Sequence, residues 1–234
     1  MVNEINNESG NNEQLAELLG IILGDGNLNK ASNCITIVGS LEEIYYYKNH
    51  VIPLIKSLFN VNPKLRKRND RNAFYIDFNS KDVMSYLSKD LGLIRGNKKY
   101  ASIPRIIKNN SKLIPHFLRG LFDTDGCLKF SKQSRDENYY PRIQFCFSDT
   151  QFAEEVKEII KIYFKVGSWK DSRFNGLAVY QISGKENLEK WMKLIGSNNI
   201  VHKTKYLIWK KQGFYVPNSS LQSRAKALNL NINL

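Results

Sequence analysis

Two aspartates, Asp25 and Asp125, stand at matching places in the sequence and could together hold a divalent cation. Each ends an apolar, helix-like stretch and is followed by a glycine, Gly26 or Gly126, which we expect to end the helix in a left-handed turn. A carboxylate at the C-terminal end of a helix is unfavourable, because the helix dipole is negative there. The same unfavourable acid in two copies indicates a role that offsets the cost, and cation binding is the natural one.

Small residues spaced four apart precede both aspartates and predict that the two helices pack closely. They are Gly20 and Gly24 in the first copy, and Gly120 and Thr124 in the second. If the helices run parallel, the two carboxylates lie side by side and repel unless cations separate them. That arrangement suits metal-assisted phosphodiester hydrolysis. The alternative is a duplicated core helix with an ordinary cap.

Both aspartate motifs belong to a tandem duplication with an offset of 100 residues. Each copy is followed by patterns that predict two strands, a helix, two strands and a helix. We therefore predict an α+β fold built from two α-β-β-α-β-β-α repeats, residues 14–91 and 113–196, with a pseudo-two-fold relation. Residues 92–112 are predicted to be a linker, 1–13 a disordered lead-in, and 197–234 a C-terminal extension.

Composition favours a polyanionic partner. The chain has 35 Lys and Arg against 22 Asp and Glu, a formal net charge of +13, although basic surfaces also serve solubility. No apolar run approaches the ~20 residues of a membrane span, and the first residues do not form a signal peptide. The three cysteines have no CxxC spacing and the three histidines no ligand spacing, which argues against disulfides and zinc.

Alternation along the predicted strands separates a buried face from a basic and polar face. Phe74, Ile76 and Phe78 fall on one side, and Tyr75 and Asp77 on the other. Such a face is also typical of solvated antiparallel sheets, but crowded like charges on a strand favour a partner that neutralises them. The residues predicted to bind this partner are Lys30, Lys64, Arg66, Arg68, Arg71, Lys129, Lys132, Arg135, Arg142, Gln144, Lys170 and Arg173.

The two motifs resemble those of the LAGLIDADG homing endonucleases, in the single-chain form with two motifs. The closer match is Gly120-Leu121-Phe122-Asp123-Thr124-Asp125-Gly126, and the resemblance extends from about residue 14 to residue 209. It implies a saddle of two antiparallel sheets that lies in the major groove of double-stranded DNA. It also implies that Asp25 and Asp125 are the metal-binding catalytic acids, with the carbonyl groups of Gly24 and Thr124 as further ligands of Mg²⁺ or another divalent cation such as Mn²⁺.

Other family positions match less uniformly. A basic residue near the end of each repeat usually supports the scissile phosphate or activates water, and the matching candidates are Lys98 and Lys203, which could equally be surface lysines. Family members often have Gln or Lys where the second strand ends near the active site. Here that strand ends in Val38-Gly39-Ser40 in the first repeat and Phe147-Ser148 in the second, so no water-positioning side chain is identified.

The resemblance therefore predicts a monomeric, metal-dependent endonuclease that cuts both strands of a long, asymmetric DNA site. We expect an intron-encoded enzyme of the cytoplasm or an organellar matrix, not a secreted one. The alternatives are a splicing maturase, with intron RNA as a further partner, and a sequence-specific DNA-binding protein that does not cut. Retention of both acids favours the enzyme, because a pure binder would gain from losing carboxylates that repel phosphates.

Overall fold

A computed structural model gives the fold. It describes residues 9–68, 72–131, 140–171, 177–215 and 219–232. In the first repeat, the elements are α1 (Ser9–Gly24), β1 (Gly26–Leu28), β2 (Cys34–Ser40), α2 (residues 41–59), β3 (Lys64–Lys67), β4 (Ala73–Asn79) and α3 (residues 81–90). Helices α2 and α3 are continuous but each contains a π-helical turn, Tyr47–Val51 in α2 and Tyr86–Asp90 in α3.

The second repeat has the same order of elements. A 3-10 turn (Lys98–Tyr100) and a short helix α4 (Arg105–Lys108) lie between the repeats. The second repeat comprises α5 (Ile114–Asp125), β5 (Gly126–Ser131), β6 (Tyr140–Phe147), α6 (Gln151–Lys161), β7 (Gly167–Asp171), β8 (Leu177–Ser183) and α7 (Lys185–Leu194). Helices α8 (Ile200–Gln212) and α9 (Leu221–Ala227) follow it.

Each repeat forms one four-stranded antiparallel sheet, which confirms the predicted α+β duplication. The strand orders are β1-β2-β4-β3 and β5-β6-β8-β7. The alternation predicted for β4 is also confirmed, since Phe74, Ile76 and Phe78 are buried while Tyr75 and Asp77 are only partly so. We call the less buried side of each sheet its outer face. Among the described residues, no helix is both long and apolar enough to cross a bilayer.

The two motif helices, α1 and α5, pack side by side in parallel because glycine lets their backbones touch. A Cβ added to Gly20 would lie 2.2 Å from the carbonyl oxygen of Phe117, and one added to Gly120 would lie 2.0 Å from that of Glu17. Both distances are far below any real Cβ contact. Gly24 repeats the pattern one turn later, where an added Cβ would lie 2.1 Å from Thr124 Oγ1. The predicted close approach is therefore confirmed.

The glycines that follow the aspartates do not end the helices as predicted. Gly126 has φ −83° and ψ 157°, which is extended backbone, and Gly26 is not among the residues with positive φ. The expectation of a left-handed turn was wrong because the first strand of each sheet begins at this glycine, so the chain leaves the helix already extended. Glycine is needed there for space: an added Cβ would lie 2.7 Å from Ile22 Cα or 2.3 Å from Phe122 Cδ2.

The segment after the second repeat ties the two motif helices together through buried polar groups. Asp123, fully buried in α5, accepts hydrogen bonds from Ser197 Oγ and from the backbone N–H of Asn198 at 2.6 Å. The Asn198 side chain in turn donates to Glu17 Oε1 of α1 at 2.7 Å. Glu17 also pairs with Arg119 of α5 at 2.7 Å. Burial alone would raise the pKa of Glu17, but hydrogen bonds from its partners, including Arg119, lower it to about 2.

Candidate metal and nucleic-acid site

The carboxylates of Asp25 and Asp125 meet where the parallel motif helices end. A Cβ placed on Gly24 would lie 3.5 Å from Asp125 Cγ, so the second acid lies directly against the end of the first helix. Each aspartate immediately precedes the first strand of its sheet. The arrangement therefore puts two negative charges at the junction of the two sheets, as parallel packing requires.

Without a cation, ionisation of either carboxylate is energetically unfavourable. Burial raises the pKa of Asp25 to about 7, an effect that a hydrogen bond from Tyr47 opposes and repulsion from Asp125 reinforces. Burial likewise raises the pKa of Asp125 to about 6, although the charge of Lys98 lowers it. A divalent cation would remove this penalty, because it stabilises both ionised carboxylates at once.

The hydroxyl of Tyr47 is a site group that the sequence did not reveal. It donates to Asp25 Oδ2 at 2.7 Å from a fully buried position in α2. Tyr47 belongs to a run of three tyrosines in an apolar helix, which carries no motif. The sequence offered one indication of a larger neighbour, namely Gly39. This small residue stands at the strand end where the resemblance predicts Gln or Lys.

Lys98 lies at the site and caps the end of α1. Its ammonium donates to three carbonyl oxygens there, Ile22 at 3.0 Å, Leu23 at 2.9 Å and Gly24 at 2.5 Å. Burial lowers the pKa of Lys98, and the charges of Asp125 and Asp25 raise it. A cation at the negative end of the helix dipole stabilises the helix that carries Asp25. Lys98 thus holds the end of this helix in place and also lines the cavity beside Asp125.

Lys203 does not have the same environment as Lys98. Its ammonium lies 3.5 Å from Asn198 Oδ1, beside the buried polar groups that tie α1 to α5. Among the described residues, Lys98 is the lysine whose charge acts on Asp125. The two candidate lysines therefore lie in different environments, one at the end of α1 and the other beside Asn198. In the second repeat, the Thr124 hydroxyl is engaged within its own helix, where it donates to Gly120 O at 3.0 Å.

A cavity of about 500 Å³ opens beside Asp125. Its polar lining includes Lys98, Asp125, Cys146, Ser148 and Thr150. Within the described parts of the chain, no three His, Cys, Asp or Glu side chains converge. A cation would therefore be held by the two aspartates, by the Gly24 or Thr124 carbonyl, and by water or phosphate oxygens. Such all-oxygen ligands fit Mg²⁺, which usually keeps several ligands from water or substrate.

The raised pKa values predict how metal-free stability depends on pH. Because the folded-state pKa of Asp25 and Asp125 exceeds the ordinary value of 3.8, the stability they confer is full below about pH 4 and is lost as pH rises through about 6 and 7. We expect the melting temperature in chelator to fall between about pH 5 and pH 8, relative to a variant with both aspartates changed to asparagine. Adding Mg²⁺ should restore it at the higher pH only. Parallel curves for the two proteins would contradict this expectation.

The outer face carries most of the described basic residues of the predicted set. In β3, Lys64 pairs with Asp77 of β4 and Arg66 pairs with Tyr75. The Arg66 Nε also forms an ion pair with Asp77 at 2.9 Å. In the second sheet, Lys129 opposes Arg142 and donates to Gln144. The Arg142 Nε is buried, and no described residue accepts its hydrogen bond. Lys30 is exposed in the turn after β1, and Arg68 directly follows β3. The remaining predicted residues Arg71, Lys132, Arg135 and Arg173 lie outside the described residues.

Lys170 lies on the opposite face of its sheet from Lys129 and Gln144. In the edge strand β7 it pairs with Ala178, a residue of the buried face, and its ammonium contacts Asp149. The neighbouring residue Trp169 opposes Val179 and takes the outer-face position, with 44% of its surface exposed. The residues of β7 are nearly all exposed and show no alternation, so the sequence alone does not indicate the face on which Lys170 lies.

The chain was compared with known protein families and with solved structures, and both comparisons gave similar proteins. Residues 113–196 match the family model of the LAGLIDADG-like domain. The structure of I-DmoI in complex with DNA and Mn superposes with a TM-score of 0.56 at 21% identity, covering 79% of this chain and 97% of that one. The N-terminal LAGLIDADG domain of DUF199/WhiA gives a TM-score of 0.52 at 16% identity, covering 82% and 85%.

The chain thus contains a LAGLIDADG-like domain and has the two-repeat fold of the homing endonuclease I-DmoI. A curated relative is the replication factor C small subunit of Methanocaldococcus jannaschii, which is 30% identical over 206 residues, 82% of this chain. The chain spans only 11% of the length of that relative.

Proposed function

We propose that the protein is a site-specific endonuclease that hydrolyses both strands of double-stranded DNA with a divalent cation. The observation that carries this proposal is the pair of partly buried, mutually repelling carboxylates of Asp25 and Asp125, each directly before the first strand of a sheet whose outer face is rich in basic residues. Neither acid stabilises the fold at neutral pH, so binding a cation is the function that their retention suits best. The DNA-bound I-DmoI structure shares the fold and supports the choice of substrate.

The residues divide the work as follows. Asp25 and Asp125 would hold the cation, with the Gly24 and Thr124 carbonyls beside it. When bound, the cation activates water and stabilises charge on the scissile phosphate. Lys98 fixes the end of α1 and offers positive charge next to the phosphate. Because the Lys203 ammonium contacts Asn198 Oδ1, we do not assign Lys203 the corresponding role next to the phosphate in the second repeat.

Selection of cleaved sites from a randomised duplex library in the presence of Mg²⁺ tests the proposal directly. We expect one long, non-palindromic consensus. Five residues of the sequence separate the first two strands of the first repeat, whereas eight separate those of the second, so the two halves cannot make the same contacts. Recovery of no cleaved sequence, or of a palindrome, would refute the proposed activity or its asymmetry respectively.

A competing function is sequence-specific binding of DNA or intron RNA without cleavage. The contact between Lys98 and the Gly24 carbonyl favours it, because that oxygen is an expected metal ligand. A carbonyl oxygen has two lone pairs, however, and can accept a hydrogen bond while it binds a cation. Enrichment of bound but uncut sequences in the same library would support the binder.

The basic outer face predicts a defined salt dependence. We expect Arg142→Ala to weaken DNA binding and to reduce the slope of log affinity against log salt by about one, since one phosphate contact is lost. The measurement is filter binding between about 50 and 200 mM salt. Lys161→Ala is the matched control, because Lys161 lies on α6 and pairs with Glu158 at 2.8 Å. Equal effects of the two substitutions would show that the outer face is not the binding surface.

A further inference from the structure

Asp25 is held by a rigid aromatic group. The Tyr47 hydroxyl donates to it at 2.7 Å, and the Tyr47 ring is fixed by edge-on contacts with Tyr46 and Phe74, at centroid distances of 5.1 and 4.9 Å. No part of the Tyr47 side chain is exposed. A donor so constrained keeps the carboxylate in one orientation, because the tyrosine cannot turn away without disturbing its neighbours.

Gly39 makes room for this tyrosine. A Cβ at position 39 would lie 2.8 Å from Tyr47 Cε2 and 2.7 Å from Phe74 Cζ, so a side chain there would displace the ring that reaches Asp25. Gly39 and Tyr47 are therefore complementary in size. Because residue 39 has no side chain, the Tyr47 ring fits beside it at the end of β2 and reaches Asp25.

Asp125 has no such support. No described residue donates a hydrogen bond to its carboxylate, and it faces the cavity of about 500 Å³. The end of β6, which corresponds to the end of β2, presents Phe147 and Ser148 to that cavity instead of a glycine and a tyrosine hydroxyl. The two acids thus differ in how firmly their orientation is fixed.

We propose that Tyr47 is a positioning residue that acts on Asp25 alone, so that the two strands of a DNA substrate are cut at unequal rates. This inference rests on the proposed endonuclease activity. The Tyr47 hydroxyl is bonded to Asp25 Oδ2, so Tyr47 acts by holding one of the two proposed cation ligands. The Asp125 carboxylate lacks this support, so its orientation must become fixed when cation and substrate bind.

The test follows each strand separately in single-turnover cleavage of the selected site, with a different fluorophore on each 5′ end. We expect wild-type protein to cut the strands at different rates. Tyr47→Phe, which removes only the hydroxyl, should change the ratio of the two rates by about tenfold, the size expected for a hydrogen bond to a charged group. Tyr46→Phe is the matched control, since the buried Tyr46 hydroxyl has no partner among the described residues.

Each outcome decides the question. Equal rates on the two strands in the wild type overturn the inference whether or not any variant folds. An equal loss on both strands in Tyr47→Phe shows a general structural role and also overturns it, as does a ratio that Tyr46→Phe changes equally. Absence of cleavage by the wild type, with DNA still bound, refutes the endonuclease activity itself and is thereby distinguishable.

Discussion

Replacing either Asp25 or Asp125 by asparagine will lower the rate of double-strand cleavage by about a hundredfold or more, while DNA affinity stays the same or rises. Asparagine keeps the shape of the side chain but removes one of two carboxylates that can hold the cation. It also removes a negative charge from beside the DNA phosphates, which is why binding should not suffer. Cleavage is measured in Mg²⁺, and affinity in Ca²⁺ on the same duplex.

Asp82→Asn is the matched control for both substitutions, because Asp82 is an exposed aspartate in the first turn of α3. We expect it to leave both cleavage and affinity unchanged. The result that would contradict the assignment is cleavage by Asp25→Asn or Asp125→Asn at close to the wild-type rate. Loss of affinity in parallel with cleavage would instead show that the acids support the fold or the DNA contact.

Replacing Gly120 by alanine will destabilise the protein by about 3 kcal/mol or more, at the upper end of what overpacking costs. The new methyl group would lie 2.0 Å from the Glu17 carbonyl oxygen, and both partners belong to helix backbones that cannot move independently. The helices must separate, which also draws Asp25 away from Asp125. Chemical denaturation followed by far-UV circular dichroism measures the loss.

Gly10→Ala provides the comparison within the same pair of helices. Gly10 lies in α1, and an added Cβ would meet nothing within 4 Å. There we expect a gain of up to about 1 kcal/mol, because alanine loses less backbone entropy than glycine in a helix. If Gly120→Ala were as harmless as Gly10→Ala, the close contact of α1 with α5 could not be what holds the repeats together.

Periodic features of this fold were predictable from sequence. The alternation of Phe74, Ile76 and Phe78 placed β4 correctly, and the spacing of Gly20 and Gly120 anticipated the contact of the motif helices. Both are local patterns that repeat at the period of a strand or a helix. The position of the two acids then followed from the duplication.

Features that depend on tertiary contacts were not predictable. Tyr47 bonds to a residue 22 positions away, and Asn198 to one 181 positions away, with no periodic pattern to connect them. The face on which Lys170 lies could not be read from sequence either, because the register of an edge strand is set by its pairing partner. Lys98 was identified as a site residue, but its capping of α1 depends on how the segment between the repeats folds back, with Gly96 N–H bonded to Leu28 O at 2.6 Å.

The polar ties made after the second repeat have a consequence for the exchange of halves between related proteins. Asn199 donates to Glu43 at 2.9 Å and Arg224, which is buried, to Glu42 at 2.9 Å, so residues of the C-terminal extension are bonded to the first repeat. A hybrid that takes its second half from another protein would keep the glycine contact between helices and lose these bonds. A single cut in the linker is therefore not sufficient: the extension must match the first repeat and also Asp123 of the second, to which Ser197 and Asn198 are bonded.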